Sequence, residues 1–244
     1  MISNDDLKWI LCVGGGRSKI TIIEAIKSQN LKCCIIDPDE NCLGKNIADF
    51  FINRSILDVD KIIDDLHEKK IYNKILGIIP YVSFKNGQYA AYTLAKKLCL
   101  PCLNKESLDL AWNKKMFKKK CIEHGIPVPK ELSNDFKKIS AFLSTKKKII
   151  VKPNDTVGSE SIEIISSIDD YLSKTFSNEF IFEEFLGNDL FSIDGLVINS
   201  KFIFQNFSKK YIRSDSFLTS GYSSNISENF INSFQNYTQK LISI

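Results

Sequence analysis

An α/β fold follows from two patterns in this 244-residue sequence. Over the first hundred residues, short apolar runs alternate with segments of helical periodicity, which predicts a parallel sheet covered on both faces. Beyond residue 112 the apolar runs come in pairs separated by short polar loops, 149–153 with 161–165 and 190–198 with 201–207. Such pairs predict antiparallel hairpins, hence an α+β region. The expected divisions are 1–112, 113–189 and 190–244.

The elements follow in order. Residues 8–13 form an apolar strand entering the turn Gly14-Gly15-Gly16-Arg17-Ser18, residues 21–26 have helical spacing, and Lys32-Cys33-Cys34-Ile35-Ile36-Asp37 is a second strand. This Rossmann-like βαβ unit with an acidic strand end invites a dinucleotide reading. Against it, Lys19 stands where Gly-x-Gly-x-x-Gly needs its third glycine, which permits close helix–sheet packing. A helix over 58–66, a strand over 75–80 and a helix over 88–98 complete the first region. A linker helix over 107–112 leads to a helix beginning at Lys114 and ended by Gly125, with Pro127 and Pro129 preventing its continuation. Ser167-Ile168-Asp169-Asp170 resembles a capping box and starts a helix over 168–174. A strand over 180–185 follows, and Asn199-Ser200 is a plausible hairpin turn. Residues 208–225, polar and Ser-rich, read as a loop, and 228–243 as a final amphipathic helix.

Composition narrows the function classes. With 43% apolar residues and 17 phenylalanines the chain can bury one good core or two small ones. A formal net charge of +4 is small, and the runs 118–120 and 146–148 read as solvated lysines rather than a nucleic-acid surface. No apolar stretch approaches the ~20 residues of a membrane helix, and the acidic N-terminus lacks a signal peptide's basic and apolar regions. Seven cysteines scattered through apolar segments suit a reducing compartment, so the expected location is cytoplasmic. Cys99-Leu100-Pro101-Cys102 reads as two buried structural thiols, since neither His67 nor His124 supplies ligand spacing.

The most informative stretch delivers Lys152, after Ile149-Ile150-Val151, to the mouth of the loop Asn154-Asp155-Thr156-Val157-Gly158-Ser159. A lysine fixed at a strand end beside free backbone N–H groups suits an anion, a nucleotide phosphate above all. An exposed hairpin with a solvated lysine is the plain alternative. Upstream stand Asn113-Lys114 and Gly125-Ile126-Pro127-Val128-Pro129; downstream stands Glu183-Glu184-Phe185-Leu186-Gly187-Asn188-Asp189. Taken in order, these pieces resemble the ATP-grasp superfamily of carbamoyl-phosphate synthetase, biotin carboxylase and D-alanine–D-alanine ligase, from about Ile10 to the end of the chain.

The resemblance implies a pre-ATP-grasp sheet followed by an incomplete ATP-grasp α+β fold, with a lid hinged near Gly125 and Pro129. It implies a carboxylate–amine-type ligase that binds ATP and works through an acyl-phosphate. Lys114 and Lys152 would contact the phosphates from two sides, and Gly158 and Ser159 would sit in the flap closing over them. Glu183, with the backbones of Glu184 and Leu186, would meet the adenine edge. Asp189 would reach the ribose, although its spacing is one residue short. In the family Mg2+ is held by an acidic residue and a later Glu-x-Asn pair, and nothing after Ile212 supplies that pair. The chain is therefore expected to be part of a longer ligase or a degenerate relative, inactive by itself. The implied partners are ATP and a small carboxylate-bearing substrate, without nucleic acid or membrane and with room for a homo-oligomer. The glycine turn would help hold the acceptor. Two other classes stay open: a non-catalytic nucleotide-binding module or subunit, and an NAD-dependent oxidoreductase.

Overall fold

The computed structural model describes residues 7–156, 161–177, 179–213 and 217–244. The chain divides into two compact units, Met1–Leu108 and Asp109–Ile244.

The first unit is a parallel sheet of order β3-β2-β1-β4, built from β1 (Trp9–Val13), β2 (Lys32–Ile36), β3 (Phe50–Ile52) and β4 (Ile75–Ile79). Helices α1 (Ile20–Ser28), α2 (Val59–Glu68) and α3 (Lys85–Lys97) connect and cover it. Successive residues of a strand face opposite sides, and both sides here are apolar. Leu11, Val13, Cys34 and Ile36 enter one cluster with Ile62, Leu66 and Leu94. Cys12, Cys33 and Ile35 enter the other with Ile23 and Ile26. Burial pushes the Cys12 thiol up to about 11 and Cys33 to about 12, so both behave as small hydrophobes.

The glycine turn is closed from within. Gly14 has φ +92° and donates to the Ile36 carbonyl at 2.9 Å. A Cβ on Gly15 would stand 2.4 Å from the Cys42 sulfur, so a larger residue there would have to displace the Cys42 side chain. Asp37, the acid that invites a ribose reading, accepts from the N–H of Gly15 at 2.6 Å and of Asp39 at 2.8 Å. Its carboxylate holds the turn. The thiols Cys99 and Cys102 are exposed, not buried as expected, because the chain leaves α3 with Cys99 in a left-handed conformation (φ +53°) instead of continuing a strand.

Helix α4 (Lys105–Trp112) leads into the second unit, where α5 (Lys114–Glu123) precedes an antiparallel sheet of order β5-β8-β6-β7. Its strands are β5 (Glu131–Leu132), β6 (Ile149–Pro153), β7 (Glu163–Ile165) and β8 (Phe180–Glu184), with α6 (Phe136–Leu143) and α7 (Ile168–Leu172) between them. Ile149, Val151, Ile165 and Phe182 pack on Ile139 and Leu143 of α6, with Tyr171 and Phe176 alongside. Ser167 caps α7 by accepting from Asp170 N at 3.0 Å, while Asp170 reaches back to Ser166 N at 3.1 Å.

A second sheet of order β11-β10-β9 comprises β9 (Leu190–Ile198), β10 (Lys201–Ile212) and β11 (Thr219–Ser223), followed by α8 (Glu228–Leu241). Asn199 and Ser200 both have positive φ (50° and 57°), as a two-residue hairpin turn needs. The reading of 208–225 as a loop is corrected at both ends. β10 runs on to Ile212, and β11 pairs antiparallel with it, Lys210 opposite Tyr222. Polar composition alone does not separate such a strand pair from a loop. No helix among the described residues is long and apolar enough to cross a membrane.

Candidate functional site

One face of the β5–β8 sheet builds the core, so alternation turns Ile150, Lys152, Ile164 and Glu183 to the other face. The register sets Ile150 beside both Glu183 and Ile164, and Lys152 beside Ile181. Helix α5 supplies this side with lysines. Asn113 caps it, accepting from Met116 N at 2.9 Å, and Asn154 at the end of β6 accepts from Lys115 N at 3.0 Å. Two of the helix's unsatisfied N–H groups are thereby met, and its first turn is tied to the strand carrying Lys152.

Lys114, the first residue of α5, donates to the carbonyls of Pro153 (2.8 Å), Asn154 (3.2 Å) and Thr156 (2.6 Å). All three ammonium donors thus hold the chain where it leaves β6. Burial lowers its pKa, the positive charge of Lys152 lowers it further, and Asp155 and Glu183 pull the other way. The two lysines therefore feel each other's charge.

Lys152 reaches Glu183 Oε2 at 2.6 Å. The other carboxylate oxygen accepts from Lys118 Nζ at 3.0 Å, and Lys118 also stands 3.5 Å from Glu131. Glu183 and Lys118 are buried, with side chains 5% and 8% exposed, and Lys152 is 25% exposed. The reading of 118–120 as solvated surface fails at Lys118: one helical turn after Lys114, it falls on the same inward face. That four-residue spacing was the available signal.

The strand end beyond Glu183 forms a hinge. Glu184 exchanges bonds with Lys130, its N–H donating to the carbonyl and its Oε1 accepting the N–H, both at 2.9 Å. Phe185 N donates to the Lys148 carbonyl at 2.9 Å. Leu186 follows, 74% exposed, and among the described residues its N–H meets no acceptor. A cavity of about 660 Å³ opens beside this hinge, lined by Lys148, Ile164, Phe185, Asp189, Lys209 and Arg213. Asp189 lines that cavity and is paired with Lys209 at 2.9 Å.

The structure thus brings Lys114, Lys152 and Glu183 into one cluster, sets Glu184 and Leu186 on the adjoining hinge, and places Asp189 at the cavity. Gly158 and Ser159 lie outside the described residues. No group of three or more His, Cys, Asp or Glu side chains that could hold a metal ion is gathered among the described residues.

A family model described as the ATP-grasp domain matches residues 111–244. No curated protein matches the chain. Among solved structures, phosphoribosylglycinamide synthetase from Anaerococcus prevotii is similar with TM-score 0.70 at 17% identity, covering 97% of this chain and 61% of its own. N5-carboxyaminoimidazole synthetase from Staphylococcus aureus, complexed with ADP, gives 0.67 at 16%, covering 98% and 65%. L-amino acid ligase from Bacillus licheniformis gives 0.70 at 14%, covering 97% and 59%. The chain spans about three-fifths of the length of these structures. At such identities the likeness is one of fold.

Proposed function

The chain belongs to the ATP-grasp family, and on that premise we propose that it binds ATP and serves a carboxylate–amine-type ligation through an acyl-phosphate. The observation that carries the reading is the pair Lys114 and Lys152 at the mouth of one loop, where burial first and then the charge of Lys152 lower the pKa of Lys114. The S. aureus relative, described as complexed with ADP, supports the choice of nucleotide.

In this reading Lys152 meets the phosphates from the sheet. Lys114 exchanges one of its loop carbonyls for a phosphate oxygen, a swap of one acceptor for a more strongly charged one. Gly158 and Ser159 belong to the flap above. The Leu186 N–H and the Glu184 carbonyl address the adenine edge, with Ile164 and Phe185 as apolar walls. The carboxylate of Glu183 serves this end indirectly, its two oxygens being engaged by lysines. Asp189 offers the ribose contact at the cost of its pair with Lys209. A substrate carboxylate oxygen attacks the γ-phosphorus and ADP leaves; an amine then attacks the acyl carbon and phosphate leaves. The protein's part is orientation and charge neutralisation. Mg2+ would neutralise charge on the phosphates, but the described residues offer no matching ligand set, and no step here runs through it.

The same proposal takes 1–112 as the pre-ATP-grasp domain, 113–189 as the lid and 190–244 as part of the large subdomain, with a small carboxylate-bearing acceptor. All seven cysteines are unpaired, which supports a reducing, cytoplasmic setting. Calorimetry with ATP is the test. Lys152→Ala should lose roughly 1.5–3 kcal/mol of binding free energy, the scale of a charge-assisted hydrogen bond. Equal affinity in wild type and variant would remove the grip from the reading. ADP release that depends on an added carboxylate separates a ligase from a non-catalytic nucleotide-binding module.

A further inference from the structure

Glu183 is shared between two lysines that differ in access. Oε1 takes Lys118 at 3.0 Å and Oε2 takes Lys152 at 2.6 Å, and of the two lysine side chains only that of Lys152 is appreciably exposed. A buried carboxylate requires a counter-charge. Given one lysine it forms a closed, neutral pair; given two, one positive charge is left over. The geometry sends that surplus to Lys152, because Lys118 is enclosed and Lys152 stands at the strand end. Glu131, 3.5 Å from Lys118, is half-exposed and shares its charge with solvent.

We propose that Lys118 is a positioning residue that sets the charge of the anion grip: by neutralising Glu183 it leaves the ammonium of Lys152 available to phosphate. This rests on the nucleotide reading above for the identity of the ligand, though not for its charge. Without Lys118 the carboxylate would claim Lys152 entirely, and the site would lose affinity for anions without losing any group that touches one.

The test is calorimetry with two probes, ATP and inorganic tripolyphosphate, on wild type, Lys118→Met, Lys118→Arg and the double variant Lys118→Met with Glu183→Gln. Thermal unfolding of each identifies the folded ones. Lys118→Met keeps the Glu183–Lys152 pair and should weaken both probes about tenfold or more, the scale of one charge-assisted contact. Lys118→Arg keeps the charge and should stay within about threefold of wild type. The double variant, which removes the capturing carboxylate, should regain most of the loss, a recovery that a packing role would not produce. Should Lys118→Met not fold, the double variant carries the comparison, with near-wild-type affinity supporting the proposal and tenfold loss overturning it. Tripolyphosphate binding unchanged in folded Lys118→Met, or a folded double variant as weak as the single one, would also overturn it. A wild type that binds tripolyphosphate but not ATP retires the nucleotide and keeps the role of Lys118. One that binds neither overturns both.

Discussion

The parallel sheet of the first unit and the β5–β8 sheet of the second are both well buried, yet they treat polar atoms in opposite ways. In the first, cysteines and aliphatic residues fill both faces, and the carboxylates of Asp37 and Asp49 are spent on backbone N–H groups. In the second, one face is wholly apolar, and the other, among Ile150, Ile164 and Ile181, buries Glu183 between Lys118 and Lys152. An apolar sandwich is stabilised by contacts in every direction and asks nothing of charge balance. A buried ionic cluster contributes little net stability, because desolvation offsets attraction, but it is costly to unbalance. Its presence on one face alone marks where the second unit gives up stability for a charged site.

That contrast can be broken by mutation. The largest loss is expected for Glu183→Ala, about 3–5 kcal/mol, because Lys118 would stay buried without its main counter-charge. Replacing both partners, Glu183→Leu with Lys118→Met, should recover most of it in chemical denaturation. If the double replacement is as damaging as the single one, the cluster acts through packing and the contrast fails. Leu11→Ala in the first unit should cost roughly 2–5 kcal/mol through lost burial and a residual cavity, as Leu11 is fully enclosed. That loss should not change with ionic strength, and a marked salt dependence would count against an apolar sandwich.

A smaller effect is expected at the first turn of α5. Asn113→Ala removes the cap on Met116 N and should cost about 0.5–2 kcal/mol, with ATP binding weakened as the turn carrying Lys114 frays. Unchanged stability would show that the Asn154 contact suffices. Thiol chemistry probes the two sheets with almost no energetic cost. In the native protein at neutral pH a thiol reagent should modify two of the seven cysteines quickly, the exposed Cys99 and Cys102. Cys12 and Cys33 should resist, their thiols being pushed far above neutrality by burial. Fast labelling of either would mean that the parallel sheet is open at its centre.

Much of the fold was legible from local pattern. The strands β1, β2 and β4, the turn at Asn199 and Ser200 and the cap at Ser167 each rest on residues adjacent in sequence, whose periodicity and backbone preferences act within a few positions. What escaped were short or non-local elements. β3 has three residues and β5 two, and both exist because a neighbouring strand offers hydrogen bonds. α6 was missed between two polar stretches, although Asp135 caps it and Ile139 and Leu143 anchor it. The pairing of β10 with β11 is one that polar composition conceals.

The site divides along the same line. By itself the sequence determined the family and singled out Lys114, Lys152 and the residues from Glu183 to Leu186 as candidates, because the family's motif residues stand in order along the chain. Only the tertiary structure decided that Lys118 is buried, that the two oxygens of Glu183 go to different lysines, and that the Lys114 ammonium holds the carbonyls of Pro153, Asn154 and Thr156. Charge balance in a buried cluster is summed over groups that only folding brings within a few ångströms. A run of three lysines reads as solvent-facing until a glutamate 65 positions away is set against one of them.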